Sequence, residues 1–213
     1  RGIKIIVIDS DVNSSQVSCR IGTNNLQAGI KAAEAALATD DEELYIGIVN
    51  YDVNSANGQQ RELGFRQTVE QDPRVKNITT INVLSTTEDA RAGAKEMLLS
   101  DSRINVVVTF NEWTSLGVGW AIRDLNRADR IQVVAFDSNV VSVGMLETGE
   151  VDALIVQNPY AMGYLGVETA ANLMNGQTGG PSVVDTATTI VTRENMYEPE
   201  SQKILFSFEE EGY

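Results

Sequence analysis

Four carboxylates, Asp9, Asp11, Glu112 and Asp137, stand where an apolar, β-branched run breaks into polar residues, in IKIIVIDSD, INVVVTFNEW and IQVVAFDSN. Carboxylates in such places can serve as acid and base in glycoside hydrolysis, or hold a hard cation such as magnesium. They can also accept hydrogen bonds from the adjacent hydroxyls of a neutral polyol, with the amides of Asn111 and Gln157 accepting and donating beside them. Binding is the stronger reading. The chain contains no histidine, which removes Ser-His-Asp and Cys-His nucleophile machinery and the imidazole ligands of most metal sites. No enzyme, metal or cofactor is therefore expected. Gly117 and Gly119 form a GxG, but inside a helical pattern rather than between a strand and a helix, so no phosphate loop is expected there.

Two further residue types bear on a polyol. Aromatic rings stack on the apolar face of a sugar, and Tyr51, Phe110, Trp113, Phe136 and Tyr160 all lie close to the end of such a run; Tyr51, Phe110 and Trp113 are the candidate contacts. Arg61, in NGQQRELGF, has two readings: a surface ion pair with Glu62 or Asp52, or a guanidinium aimed into a cleft as a bidentate donor opposite the carboxylates.

The elements that must position these groups are strands and helices in alternation. Apolar runs at 3–11, 44–50, 78–84, 104–110, 131–137 and 153–157 read as strands. Helical patterns follow at 26–38, 57–71, 88–99, 113–126, 140–147 and 161–175. A short strand at 17–23 and an extended run at 183–192 complete the pattern, and the tail has Ile204, Leu205, Phe206 and Phe208 as its apolar cluster. Such repetition gives parallel sheets with helices on both faces, and in open sheets of this kind ligands bind outside the carboxyl ends of the strands. The acidic break Asp40–Glu43 reads as a crossing between two lobes.

The 213 residues are 42% hydrophobic and 22% charged, ordinary for a globular protein. The net charge of −14 disfavours nucleic acid phosphates and anionic membrane surfaces as partners. The single cysteine, Cys19, reads as a small buried hydrophobe. No apolar run approaches the length needed to span a bilayer. The chain starts one short step from a strand and without Met, so its first residue reads as a cut.

Taken in sequence order, Asp9 in VIDSD, Arg61 in RELGF, Asn111 in TFNEWTSLG, Asp137 in AFDS and Gln157 in VQNP resemble the sugar-contacting residues of type I periplasmic binding proteins of the ribose-binding kind. The resemblance extends over the whole chain and includes IVTREN near its end. It implies a two-lobed periplasmic-binding-protein-like I α/β fold, parallel sheets flanked by helices, joined by three crossings and closing around a monosaccharide or related polyol. It also implies an extracytoplasmic protein, periplasmic or a cell-surface lipoprotein, that serves an ABC transporter permease or a membrane sensor. Asp9 would act from the N-terminal lobe, Arg61, Asn111 and Asp137 from the C-terminal lobe, and Gln157 beside a crossing. Repressors of the lac type share the fold as their effector domain, which is the alternative reading; a carboxylate-dependent glycoside hydrolase is the remaining one. Ser10 stands where ribose binders carry Arg, and 86–89 lacks their stacking Phe, so the resemblance does not single out ribose.

The expected lobes are 1–41 with 159–182, and 42–158 with 183–213. Measured against the family, the first lobe is incomplete by about 100 residues, at roughly 30 residues per strand-helix unit. An uncovered edge strand would then favour self-association or a mobile lobe.

Overall fold

A computed structural model describes residues 3–177 and 179–206. The chain divides into two compact units, 1–24 with 157–188 and 25–156 with 189–213. The chain therefore passes between units three times, the number of crossings that the resemblance implied.

The larger unit is built on a six-stranded sheet in the order β4-β3-β5-β6-β7-β9. β3 (Leu44–Tyr51), β4 (Val75–Val83), β5 (Val106–Thr109), β6 (Gln132–Phe136) and β7 (Ala153–Val156) run parallel, and β9 (Thr189–Thr192) closes one edge antiparallel to β7. β5, β6 and β7 are short, continuous and β-branched because both faces of the sheet are covered, and a strand buried on both sides has no polar face to alternate with. One face packs on α1 (Asn25–Leu37) and α2 (Ala56–Val69), through Ala28, Ala32, Ala33, Phe65 and Val69. The other packs on α3 (Thr87–Ser100), α4 (Glu112–Leu125), α5 (Val140–Thr148) and the short α7 (Pro199–Leu205), through Ala94, Leu98, Val118, Ile122, Met145 and Leu205.

Side-chain caps start the helices at the sheet's carboxyl end. Ser55, Thr86, Asn111 and Asn139 each accept a backbone N–H of the helix that follows, and Asn139 forms a reciprocal capping box with Ser142. α1 and α2 approach until their backbones touch. A Cβ on Gly29 would overlap the Arg61 carbonyl oxygen, and one on Gly64 would overlap that of Leu26.

The smaller unit is thinner. β1 (Ile5–Ile8), β2 (Val17–Thr23) and β8 (Val183–Thr186) form a parallel sheet in the order β1-β2-β8, with α6 (Pro159–Met174) against β1 and β2. Cys19, Ile21 and Met162 are its buried apolar side chains; burial also pushes the Cys19 thiol upward. β1 exposes Ile5 and Ile8, and α6 exposes Val167 at 73% and Met174 at 84%.

Three expectations are corrected. α1 packs on the larger unit's sheet, not with the first lobe, because its alanine face fits over β6 and β7. The crossing thus falls at 24–25, and Asp40–Glu43 is a loop inside the larger unit. The extended run 183–192 is two strands in two sheets: β8 pairs with β2 and β9 with β7. Residue Phe208 of the expected tail cluster lies outside the described residues.

Candidate functional site

In the larger unit one candidate residue is a buried cation. Arg61, on α2, is 2% exposed, so it is not a surface ion-pair residue. Its Nε donates to Asn25 Oδ1 at 2.8 Å and its Nη1 to the Phe110 carbonyl at 2.6 Å. The guanidinium also lies over the Phe136 ring, 4.7 Å from its centroid, an arrangement that stabilises a desolvated cation. Arg61 thereby sits beside the residues that immediately precede Asn111 and Asp137. The ion pair expected for it belongs instead to Glu62, which accepts from Arg66 Nε at 2.8 Å and from Asn50 Nδ2 at 2.7 Å.

Asn111 leaves β5 as the N-cap of α4. Its Oδ1 accepts from the Thr114 N–H at 2.9 Å and the Thr114 hydroxyl at 2.7 Å, while its Nδ2 donates to Ser85 Oγ at 2.6 Å. Asp137 leaves β6 with a φ of 67° and donates its N–H to the Ile155 carbonyl at 3.0 Å. A non-glycine residue in this left-handed region is uncommon, and such strain collects at functional positions. Glu112 accepts from Asn139 Nδ2 at 2.6 Å, which links the starts of α4 and α5.

The smaller unit repeats the strained aspartate. Asp9 follows β1 with a φ of 62°, donates its N–H to the Ile21 carbonyl at 2.9 Å, and accepts from the Ser10 hydroxyl at 3.3 Å. Unlike Asp137 it is exposed. Asp11 is engaged otherwise: it accepts from Arg20 Nε at 2.6 Å, and Arg20 also holds the carbonyls of Val12 and Ser14, which pins the turn. Gln157 accepts from the Thr23 hydroxyl at 2.7 Å, and Asn24 Nδ2 donates to Asp185 at 2.9 Å beside it.

The candidate aromatics separate. Phe110 is fully buried, edge-on to Phe65 at 6.0 Å and to Phe136 at 5.7 Å. Its ring is core and only its carbonyl serves the site, because the period of two that turns Asn111 outward turns Phe110 inward. Trp113 is half exposed at the start of α4, and Tyr51 is partly buried at the end of β3. Tyr160 stacks on Tyr164 on the exposed side of α6. Asn25 and Ser115 were not picked out as site residues; nothing distinguishes an Asn or Ser in the first turn of a helix until its partners are known.

Among the described residues, no group of His, Cys, Asp and Glu could hold a metal ion. What the carboxyl ends of these strands offer is a neutral-ligand chemistry of carboxylates, amides and one guanidinium. With the strand order, that defines the class: an open α/β protein with its polar groups at the strand tips. The sequence profile of the periplasmic binding protein domain matches residues 1–178, and the chain belongs to that family. It is 28% identical over 150 residues to a D-ribose/D-allose-binding protein of Pseudomonas aeruginosa, covering 69% of this chain and 47% of that protein. A ribose import binding protein of Haemophilus influenzae is 25% identical over 182 residues, 82% of this chain and 59% of its own. The chain thus spans about half the length of these relatives. In structure it superposes on a carbohydrate transporter solute-binding protein of Agrobacterium radiobacter in complex with D-arabinose, with a TM-score of 0.91 and 29% identity, covering 95% of this chain and 70% of that one.

Proposed function

We propose that the chain is the ligand-holding part of an extracytoplasmic solute-binding protein that takes a monosaccharide or related polyol and delivers it to an ABC transporter or a membrane sensor. The observation that supports this reading is the buried Arg61, held by the Phe110 carbonyl and set over the Phe136 ring, the two residues that immediately precede Asn111 and Asp137. Two strand tips present an amide and a carboxylate, and the cation beside them is fixed by a carbonyl, an amide and a ring. Asp9, Arg61, Asn111, Asp137 and Gln157 are the hydroxyl-binding groups of this reading, with Trp113 and Tyr51 as the candidate rings. A carboxylate pairs with adjacent hydroxyls and an amide completes the pattern, while no histidine is present to support nucleophilic catalysis. The named relatives are sugar-binding proteins, one of them an import binding protein, and the superposed structure is a carbohydrate transporter solute-binding protein, which supports transport over a repressor's effector domain.

Calorimetric titration with D-ribose, D-allose and D-arabinose tests it. Removing one buried partner of a bound hydroxyl costs about 1–3 kcal/mol, so Asp137→Ala should weaken binding by roughly tenfold or more. Unchanged affinity would remove Asp137 from the site. Turnover of a chromogenic glycoside would replace the reading with a hydrolase.

A further inference from the structure

β5 and β6 pair only over Val106↔Gln132, Val107↔Val133 and Val108↔Val134. Beyond that point the two strands still have to deliver Asn111 and Asp137, and the ladder no longer holds them together. On the β7 side the backbone remains paired, since the Asp137 N–H reaches the Ile155 carbonyl. On the β5 side the Phe136 N–H instead donates to the hydroxyl of Ser115, at 2.9 Å.

Ser115 lies in the first turn of α4 and is 2% exposed. Its oxygen is 2.7 Å from the Thr109 hydroxyl, 2.7 Å from the Asn111 carbonyl and 3.0 Å from the Phe136 carbonyl. A hydroxyl has one proton and two lone pairs. With Phe136 N–H and Thr109 O–H donating, and the proton given to the Asn111 carbonyl, that capacity is used in full. One atom thus joins the backbone of Asn111 to the residue next to Asp137, where backbone pairing has stopped. Ser115, Thr109 and Phe136 are all buried, so the Phe136 N–H and the Thr109 hydroxyl meet that atom away from solvent, whereas the Asn111 carbonyl also accepts from the Ser115 N–H.

We propose that Ser115 is a positioning residue of the binding site, and that its buried hydroxyl sets the spacing of Asn111 and Asp137 and with it the sugar stereochemistry the site accepts. The proposal rests on the solute-binding reading. A residue that sets spacing acts differently from one that merely supports the fold. Loss of support lowers the affinity for every sugar alike, whereas loss of spacing changes the ratios between epimers.

The experiment compares Ser115→Ala with Leu98→Ala, a core truncation under α3 in the same unit, by calorimetric titration of each sugar and by amide hydrogen exchange. In Ser115→Ala the ratio between the best and worst sugars should fall by about tenfold, the equivalent of one hydrogen bond to a buried group, and the Phe136 amide should exchange faster. Leu98→Ala should lower thermal stability and leave the ratios as they are. Preserved ratios in Ser115→Ala, or an equal collapse in Leu98→Ala, overturn the proposal. If Ser115→Ala does not fold, Ser115→Cys, which keeps a weaker acceptor, should give an intermediate loss of discrimination; unaltered ratios there overturn it too. If the unmodified protein binds none of the sugars, the solute-binding reading has failed on its own. Phe136 protection then still decides whether Ser115 holds the strand tips, and unchanged protection in the variant ends the proposal.

Discussion

The two units solve the same problem with different amounts of structure. Each ends a parallel strand on an aspartate in the left-handed region, Asp9 at a φ of 62° and Asp137 at 67°, and each anchors that aspartate's N–H to the carbonyl of a neighbouring strand. Behind Asp137 stand a six-stranded sheet covered on both faces, a buried guanidinium and the Ser115 hydroxyl. Behind Asp9 stand three strands and one helix, with Ile8 of the same strand half exposed. The difference teaches that a strained tip is a local device, whereas the rigidity of the tip is a property of the layers beneath it.

That contrast can be broken most directly at Arg61. Arg61→Ala removes a buried side chain and strands the Asn25 amide oxygen and the Phe110 carbonyl, so the larger unit should lose about 3 kcal/mol or more. Urea unfolding followed by tryptophan fluorescence reads this, since both tryptophans, Trp113 and Trp120, are on α4. A loss below about 1 kcal/mol would mean that the tip does not depend on the cation.

Hydrogen exchange sharpens the comparison along the backbone. The amides of β5 should be protected close to the global limit, and those of β1 should exchange orders of magnitude faster, because β1 is an edge strand with exposed side chains. Equal protection would show that the smaller unit is as well supported as the larger.

The strain itself gives a smaller effect. Asp9→Gly and Asp137→Gly should each relieve about 1 kcal/mol of left-handed backbone cost. Asp137→Gly should retain less of that gain in thermal melting, since it also removes contacts of a partly buried side chain. If both variants melt below the parent, the φ values are not strained in solution.

The smallest effect concerns Asp152, at the amino end of β7 and far along the sheet from these tips. Burial raises its pKa, against the opposing influence of the Val133 N–H bond and Arg193. A carboxyl whose folded pKa lies above its unfolded one binds more protons when folded. Its cost is absent below the unfolded pKa, grows as pH rises through the interval between the two, and is fully present above the folded pKa. Asp152→Asn keeps an acceptor for Val133 and removes the charge, so it should melt slightly higher at neutral pH, with the gain vanishing in acid. A gain that persists in acid would point to a cause other than ionisation.

The strand tips were legible because a buried parallel strand is written as a β-branched run, and its end as the first polar side chain; Asn111 and Asp137 follow that grammar. The order of elements was legible for the same reason. The lobe boundary was not. An alanine-faced helix such as α1 reads alike whichever sheet it covers, and the crossing at 24–25 has no glycine or proline to mark it, whereas the conspicuous acidic loop at 40–43 connects nothing but neighbours. Likewise Val183 to Thr192 is extended throughout, and only pairing partners divide it into β8 and β9. Arg61 left two readings open, a surface ion pair or a guanidinium in a cleft, because α2 is rich in charge, and its burial depends on α1, which lies more than twenty residues earlier in the chain. Ser115 gave no signal at all, since a serine in the first turn of a helix is ordinary until the strand end beneath it is seen.

The touching backbones of α1 and α2 have one more consequence. The absent side chain of Gly29 is the space into which the Arg61 carbonyl fits, so the smallest residue of one helix fixes where a buried cation of the next begins. A methyl group at Gly29 would act as a shim between the helices and carry the guanidinium away from both strand tips without changing any residue that meets a ligand. Selectivity in this domain could therefore drift through a helix spacing that an inventory of binding residues would never record.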